Sequence, residues 1–169
     1  MSFRFCPLCA VELEPRRERA EEPERPTCPA CGFIHYENPA PTVQAWIERD
    51  GKFLFLRRAR EPQRGLWNLT GGFLEPFESP EEALRREGLE ELGIEIEVGK
   101  LIGAFSSAYA DTGRSTLDLG YRCGLADPVA ELHVSDESTE AGWFALGEVP
   151  ELAFEGERLA LAALRAGTA

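Results

Sequence analysis

Apolar and polar residues alternate over Thr42 to Glu48 (TVQAWIE), and apolar residues crowd Lys52 to Arg57 (KFLFLR), with the turn Arg49-Asp50-Gly51 between them. Two strands joined as a hairpin are expected there. The segment from Gly65 to Leu69, with Trp67 and Leu69 as core residues, brings the chain back to the sheet and delivers Gly71 and Gly72. From Ser79 the signals become helical: a side-chain cap at Ser79, proline at the first helical position, Glu82 three residues after the cap, and Gly93 suited to a left-handed cap after Leu92. At about 100° per residue, Leu84, Gly88 and Leu92 share the side that faces a core, and Glu87, Glu90 and Glu91 share another. Strand patterns resume over Glu95 to Phe105, with irregularities at Gly99 and Gly103, and over Ser115 to Gly124, where Leu117 and Leu119 alternate as core residues. The polar run Ser106 to Arg114 links them into a long hairpin whose tip can approach a substrate or a partner subunit. A short strand at Ala141 to Phe144 and a terminal helix over Glu157 to Ala166 complete the series. This order predicts an α/β protein, an α/β/α sandwich with a mixed β-sheet and helices on two faces.

Ahead of these elements the pattern is different. Between Glu12 and Thr27 only Leu13 and Ala20 are apolar, so the segment has little core of its own. Four of the five cysteines flank it as Cys6-Pro7-Leu8-Cys9 and Cys28-Pro29-Ala30-Cys31. Each pair can form a tight knuckle, and four thiolates complete a tetrahedral shell for structural zinc in a zinc ribbon. Redox pairs or disulfides are the competing reading, disfavoured in a reducing compartment. His35 then has packing or an ordinary hydrogen bond as its role, and Cys123, inside a strand, is a small buried hydrophobe. The proline-rich joint Pro39-Ala40-Pro41 sets the expected boundary: residues 1–38 the ribbon, 39–169 the larger domain.

Charge narrows the partners. The 169 residues carry 30 acidic against 18 basic side chains, a net −12, which disfavours an extended nucleic-acid groove or an anionic membrane surface. A single nucleotide stays compatible, its phosphates met by a divalent ion and a few local arginines. Apolar runs are too short to span a bilayer, and the opening MSFRFCPLCA lacks the apolar core of a signal peptide, so a cytoplasmic protein is expected.

Three carboxylates at i, i+3 and i+4 repel one another unless a cation compensates, and oxygen ligands suit magnesium. The run GGFLEPFESPEEALRREGLEELGI resembles the signature box of the Nudix hydrolases, met here by Gly72, Glu78, Arg86-Glu87, Glu90-Glu91, Gly93 and Ile94. It departs at Gly88, where the pattern has an aliphatic residue, at Thr70, where proline is frequent, and at Phe77, where glycine is common. None of these removes a metal ligand. The four-cysteine ribbon ending in Asn38-Pro39 also resembles a subset of the family that includes NADH pyrophosphatases, although IGAFSSAY over Ile102 to Tyr109 stands in place of that group's proline-rich segment.

The resemblance implies the Nudix fold and magnesium, which manganese can replace, held by Glu87, Glu90 and Glu91 with the Gly72 carbonyl as a possible further ligand. Glu87 or Glu91 accepts a proton from water, with Glu140 or Glu137 as competitors, and Arg86 opposes Glu78 to fix the loop on the helix. Gly71 and Gly72 bring backbone close to metal or phosphate. Arg57, at a strand end, is the candidate phosphate ligand, and Phe105 and Tyr109 are candidate nucleobase platforms. The implied reaction is hydrolysis of a nucleoside diphosphate linked to another moiety, such as ADP-ribose or NADH, by a cytoplasmic enzyme compatible with a homodimer. Nucleoside triphosphate pyrophosphohydrolysis and nucleotide sensing without turnover are the alternatives.

Overall fold

In the computed structural model, which describes residues 3–167, contacts divide the chain into two units, Met1–Asn38 and Pro39–Ala169. Residues 1, 2, 168 and 169, the outer ends of the two expected domains and the first two residues of the opening segment, lie outside the described residues.

The smaller unit pairs β1 (Glu14–Arg16) with β2 (Arg25–Thr27) antiparallel, Glu14 opposite Thr27. Its two cysteine turns are built alike: Ala10 N–H donates to Cys6 O and Gly32 N–H to Cys28 O, with Ala10 and Gly32 both at positive φ. The Phe3 ring meets His35 edge-on at 4.6 Å, a packing role for that histidine.

In the larger unit the strands are β3 (Ala40–Arg49), β4 (Lys52–Arg58), β5 (Trp67–Asn68), β6 (Ile96–Ala108), β7 (Ser115–Leu125) and β8 (Ser138–Phe144). They run in the order β5-β4-β3-β7-β6, with β8 also on β4. The sheet is mixed: β3 lies parallel to β7, Ala40 opposite Thr116, while the other strand pairs are antiparallel. The β3–β4 hairpin is short. Only Glu48–Phe53 and Arg49–Lys52 pair, after which the strands diverge and the glycine loop takes the free edge of β3, through Ala45 N–H to Thr70 O and Val43 N–H to Gly72 O.

Helix α1 (Pro80–Leu92) has the full set of end signals: Ser79 and Glu82 cap each other reciprocally and Gly93 closes the helix at φ 65°. Its Ala83, Leu84 and Leu92 join Val43, Ala45, Ile47, Leu54 and Leu56 in one core. Gly88 is also buried; a methyl there would lie 2.6 Å from Ile96 Cδ1. Helix α2 (Glu155–Ala166) covers the opposite face, with Ala160 and Leu161 against Trp46, Phe53, Phe55 and Leu69. Alternation along β3 explains the two cores, since Val43, Ala45 and Ile47 point one way and Trp46 the other. Among the described residues, no helix is long and apolar enough to cross a membrane.

Several expected segments extend further; the short strand expected from Ala141 begins at Ser138. The strand expected to end at Phe105 continues to Ala108, displaced in register near Leu101 and Gly103, and a 3-10 turn at Ala110–Thr112 then makes the hairpin tip. The terminal helix starts two residues earlier, at Glu155, because Glu157 reaches back to the Phe154 N–H at 3.3 Å. Phenylalanine has no side-chain acceptor, so only this half of a capping box exists.

Candidate active site

A cavity of about 310 Å³ opens where the glycine loop, α1, the β6–β7 hairpin and the first turn of α2 meet. Gly71, at φ 150°, turns the loop against β3. Its N–H donates to Glu91 at 3.3 Å, and any side chain at Gly72 would collide with the Glu87 carboxyl group. Both glycines therefore permit the close approach of backbone to carboxylates.

Arg86 organises the rest of the box. It donates to both oxygens of Glu78 at 2.8 and 3.0 Å, to the Phe73 carbonyl at 3.2 Å, to Glu87 at 2.7 Å and to Glu90 at 3.2 Å. These bonds tie the loop to the helix and hold the Glu78 carboxyl below the usual range. Burial has the opposite effect on the two carboxylates that line the cavity. It raises Glu87 despite the Arg86 bond, and it pushes Glu91 to about 8, helped by the charge of Glu87 and opposed by the Gly71 N–H. Their environment favours a bound proton or cation.

Glu87 and Glu91 line the cavity, while Glu90, with 59% of its side chain exposed, stays outside its lining and on Arg86. Gly71, Gly72 and Tyr109 are also in the wall. Arg57 and Glu140 are not: they pair with each other at 3.0 Å, and Arg57 also bonds Gly65 O. Phe105 packs into the core beneath α2 instead of the cavity. Of the two adjacent arginines, it is Arg58 that reaches the cavity. It lines the cavity, with its guanidinium 4.9 Å from the centre of the Phe154 ring and Nε on Pro62 O. Glu137 is the acid of the β8 approach that reaches the wall, held by Arg60 at 3.2 Å.

Sequence reading missed the polar lining beneath α2. Asp118 accepts from Thr42 at 2.5 Å, Ser107 at 2.6 Å and Thr116 at 3.1 Å, and Glu157 accepts the Leu69 N–H at 2.8 Å. Gln44 and Asn68 stand beside them in the wall. Burial pushes Glu157 up to about 8. The available signal was the predicted sandwich itself: a central strand covered on both faces buries Thr116 and Asp118 as surely as Leu119.

The oxygen donors near the loop fit a hard divalent ion in kind: carboxylates of Glu87 and Glu91, with Glu90 at the rim. The Gly72 carbonyl already accepts from Val43 N–H and has one lone pair left. Among the described residues, the one close gathering of metal-ligating side chains is Cys6, Cys9, Cys28 and Cys31, whose sulfurs all lie within 4.8 Å of one another. Three of the sulfur pairs are at 3.5, 3.6 and 3.7 Å. A tetrahedral zinc with Zn–S of about 2.3 Å places sulfurs about 3.8 Å apart, so this shell already has the required size.

Comparison with known proteins matches this architecture. The model of the NUDIX domain fits residues 38–164, and that described as Nudix N-terminal, a zinc ribbon, fits residues 4–37. An ADP-ribose pyrophosphatase of Methanocaldococcus jannaschii is 36% identical over 125 residues, 73% of this chain and 72% of its own length. The NAD-capped RNA hydrolase NudC of Chromobacterium violaceum is 31% identical over 157 residues, 89% of this chain; the match spans only 53% of that relative. The crystal structure of a NUDIX hydrolase from Nitrosomonas europaea superposes with a TM-score of 0.78 at 31% identity, covering 96% of this chain and 89% of that one. With the glycine loop, the Arg86-centred box and the ribbon all in place, the chain belongs to the Nudix hydrolase family.

Proposed function

We propose that the chain is a magnesium-dependent pyrophosphatase that cleaves the phosphoanhydride of a nucleoside diphosphate joined to another moiety, with ADP-ribose, NADH or a similar coenzyme as substrate. The observation that carries this reading is the shared cavity: the box carboxylates Glu87 and Glu91 line it together with the aromatic side chains of Phe73, Tyr109 and Phe154. Such a cavity can take the phosphates at one end and a nucleoside at the other. The names of the two relatives above, one acting on ADP-ribose and one on an NAD cap, agree with a linked diphosphate.

Magnesium, or manganese in its place, would be held by Glu87, Glu90 and Glu91, and when bound it supplies neutralisation of diphosphate charge. The chain's own groups do the remaining work. Arg86 keeps Glu87 beside Gly72 and the loop backbone against α1. Arg58 is the cation placed to meet a phosphate oxygen that turns away from the metal. Glu137 is proposed to take the proton of the attacking water, because it lines the cavity and its charge is felt by Glu91. Tyr109 and Phe154 lie nearly parallel at 5.3 Å and form the apolar flank. Zinc is assigned to the four cysteines, in a closed shell without catalytic duty and in the reducing setting of the cytoplasm.

Incubation with ADP-ribose, NADH and ATP in magnesium, with products resolved, tests the reading. AMP and ribose 5-phosphate should form from ADP-ribose, and heavy-oxygen water should label a phosphate. Release of free adenine, or turnover confined to ATP with inorganic pyrophosphate as product, would defeat it. Glu91→Gln should lower kcat at least about a hundredfold at saturating magnesium.

A further inference from the structure

The segment that carries Glu137 is fastened on both sides of that residue. Towards α1, His133 N–H donates to Leu92 O and Ser135 N–H to Glu91 O, both at 2.9 Å, so its main chain hangs on the end of the helix that supplies the box carboxylates. Towards β4, Ala59 N–H donates to Glu137 O at 2.8 Å, and Arg58 pairs with Ser138 at the start of β8. These bonds set the position of the backbone. The side chain is another matter. Glu137 lines the cavity, but 59% of its side chain is exposed, and a long acid in water spreads over several rotamers unless something holds it.

Arg60 does the holding. Its Nη1 donates to Glu137 Oε1 at 3.2 Å and its Nη2 to Asp136 Oδ2 at 2.7 Å, so one planar guanidinium is forked across two successive acids. Asp136 thereby fixes the plane of the group that grips Glu137. Among the described residues, Glu137 Oε2 has no hydrogen-bond partner, so one carboxylate oxygen is held and the other is free to take a proton. Arg60 and Asp136 are themselves absent from the cavity wall, so neither touches what the cavity contains. With Arg60 55% and Asp136 85% exposed, such pairs add little to the stability of the fold. What they supply is the place of one carboxylate.

Resting on the reading of Glu137 as the group that takes the proton of the attacking water, we propose that Arg60 is a positioning residue of the reaction, holding the Glu137 carboxyl at the cavity wall through Oε1 and leaving Oε2 to the water. The proton passes from water to Oε2, the water oxygen forms the new bond to phosphorus, and the bridging oxygen leaves with the second phosphate. An arginine that bound a substrate phosphate directly would act on affinity. One that acts through Glu137 changes turnover at unchanged affinity, and has nothing left to do once Glu137 is disabled.

The test is steady-state hydrolysis of ADP-ribose by the full chain, loaded with zinc and at saturating magnesium. Arg60→Ala should lower kcat about tenfold and leave KM within about twofold of the parent, with a superimposable melting curve. Arg60→Lys, which keeps the charge but cannot span both acids, should fall between the two. Glu137→Gln should lower kcat about a hundredfold, and adding Arg60→Ala to it should cost less than about twofold more. A kcat for Arg60→Ala within twofold of the parent or above it, a loss carried by KM alone, or losses that multiply in the double variant would each overturn the proposal. A large fall in Glu137→Gln beside an unchanged Arg60→Ala would remove the positioning role and leave the base standing. Parental kcat in Glu137→Gln, or no turnover by the parent, would instead remove the reading beneath it, and the proposal with it.

Discussion

Arg86 grips both carboxylate oxygens of Glu78, eight residues away in sequence, with Nε and Nη2 at 2.8 and 3.0 Å. The two side chains are only 28% and 13% exposed, so the fork is largely shielded from water. Glu78→Gln breaks its symmetry, because the amide offers one acceptor and turns an N–H toward the guanidinium. A loss of about 2 kcal/mol in urea unfolding at pH 7 is expected. The parent's advantage should also fade in acid. Glu78 titrates lower in the folded chain than its ordinary value, so its contribution is present above that value and disappears as pH falls through the folded pKa. A difference between parent and variant that stayed constant into strong acid would contradict this role.

Gly88→Ala sets two effects of known size against each other. Helix propensity alone favours alanine by about 1 kcal/mol. Overpacking a full core costs about 1–3 kcal/mol, and the new methyl would meet Ile96 Cδ1 and Cγ1 at 2.6 Å and Ile94 O at 3.1 Å. Net destabilisation of roughly 1 kcal/mol is expected, measured as a lower denaturation midpoint at unchanged slope. A stabilised variant would mean that Ile96 rotates away at little cost.

Glu157 gives the fold a pH dependence opposite to that of Glu78. Burial holds its carboxyl protonated up to about 8, against an ordinary 4.5. Between those values the folded state keeps a proton that the unfolded chain has lost, so stability is full below about 4.5 and falls as pH rises toward 8. The slope is at most about 1.4 kcal/mol per pH unit. Glu157→Gln should flatten it. All three tryptophans, Trp46, Trp67 and Trp143, lie in the larger unit, so their fluorescence reports its unfolding across the series. Parallel pH curves for parent and variant would refute the assignment.

For the ribbon, Cys6→Ser should lower zinc below one per chain and open the segment between Glu12 and Thr27 to protease first. The tryptophan-monitored unfolding of the larger unit should stay within about 0.5 kcal/mol of the parent. Activity should survive in part. Complete loss of kcat with the larger unit folded and magnesium still bound would give the ribbon a direct part in the reaction.

Particular residues show what the sequence made legible. Helix α1 was readable to the residue because Ser79, Pro80, Glu82 and Gly93 are local signals, acting within one turn of each end. The box carboxylates followed from spacing and family resemblance. Arg57 and Arg58 were harder to separate, since successive strand residues face opposite sides and β4 shifts register between these two. Asp118 was hidden for another reason. Its neighbours Leu117 and Leu119 look like the core face of a half-solvated strand, and only the cover provided by α2, from the far end of the chain, turns the polar face inward. Glu157 resembles an ordinary solvated acid in a first helical turn until Leu69, 88 residues earlier, is seen to donate to it.

The parallel pairing of β3 with β7 has a consequence for how the chain emerges during synthesis. Thr42 and its partner Asp118 are 76 residues apart, and everything between them is made while β3 has one long edge unfilled. Such an edge can recruit another strand, and non-local pairing closes slowly. A nascent chain stopped before Ser115 would have the complete signature box but no floor beneath it, and would expose the apolar β3 to its neighbours on the polysome.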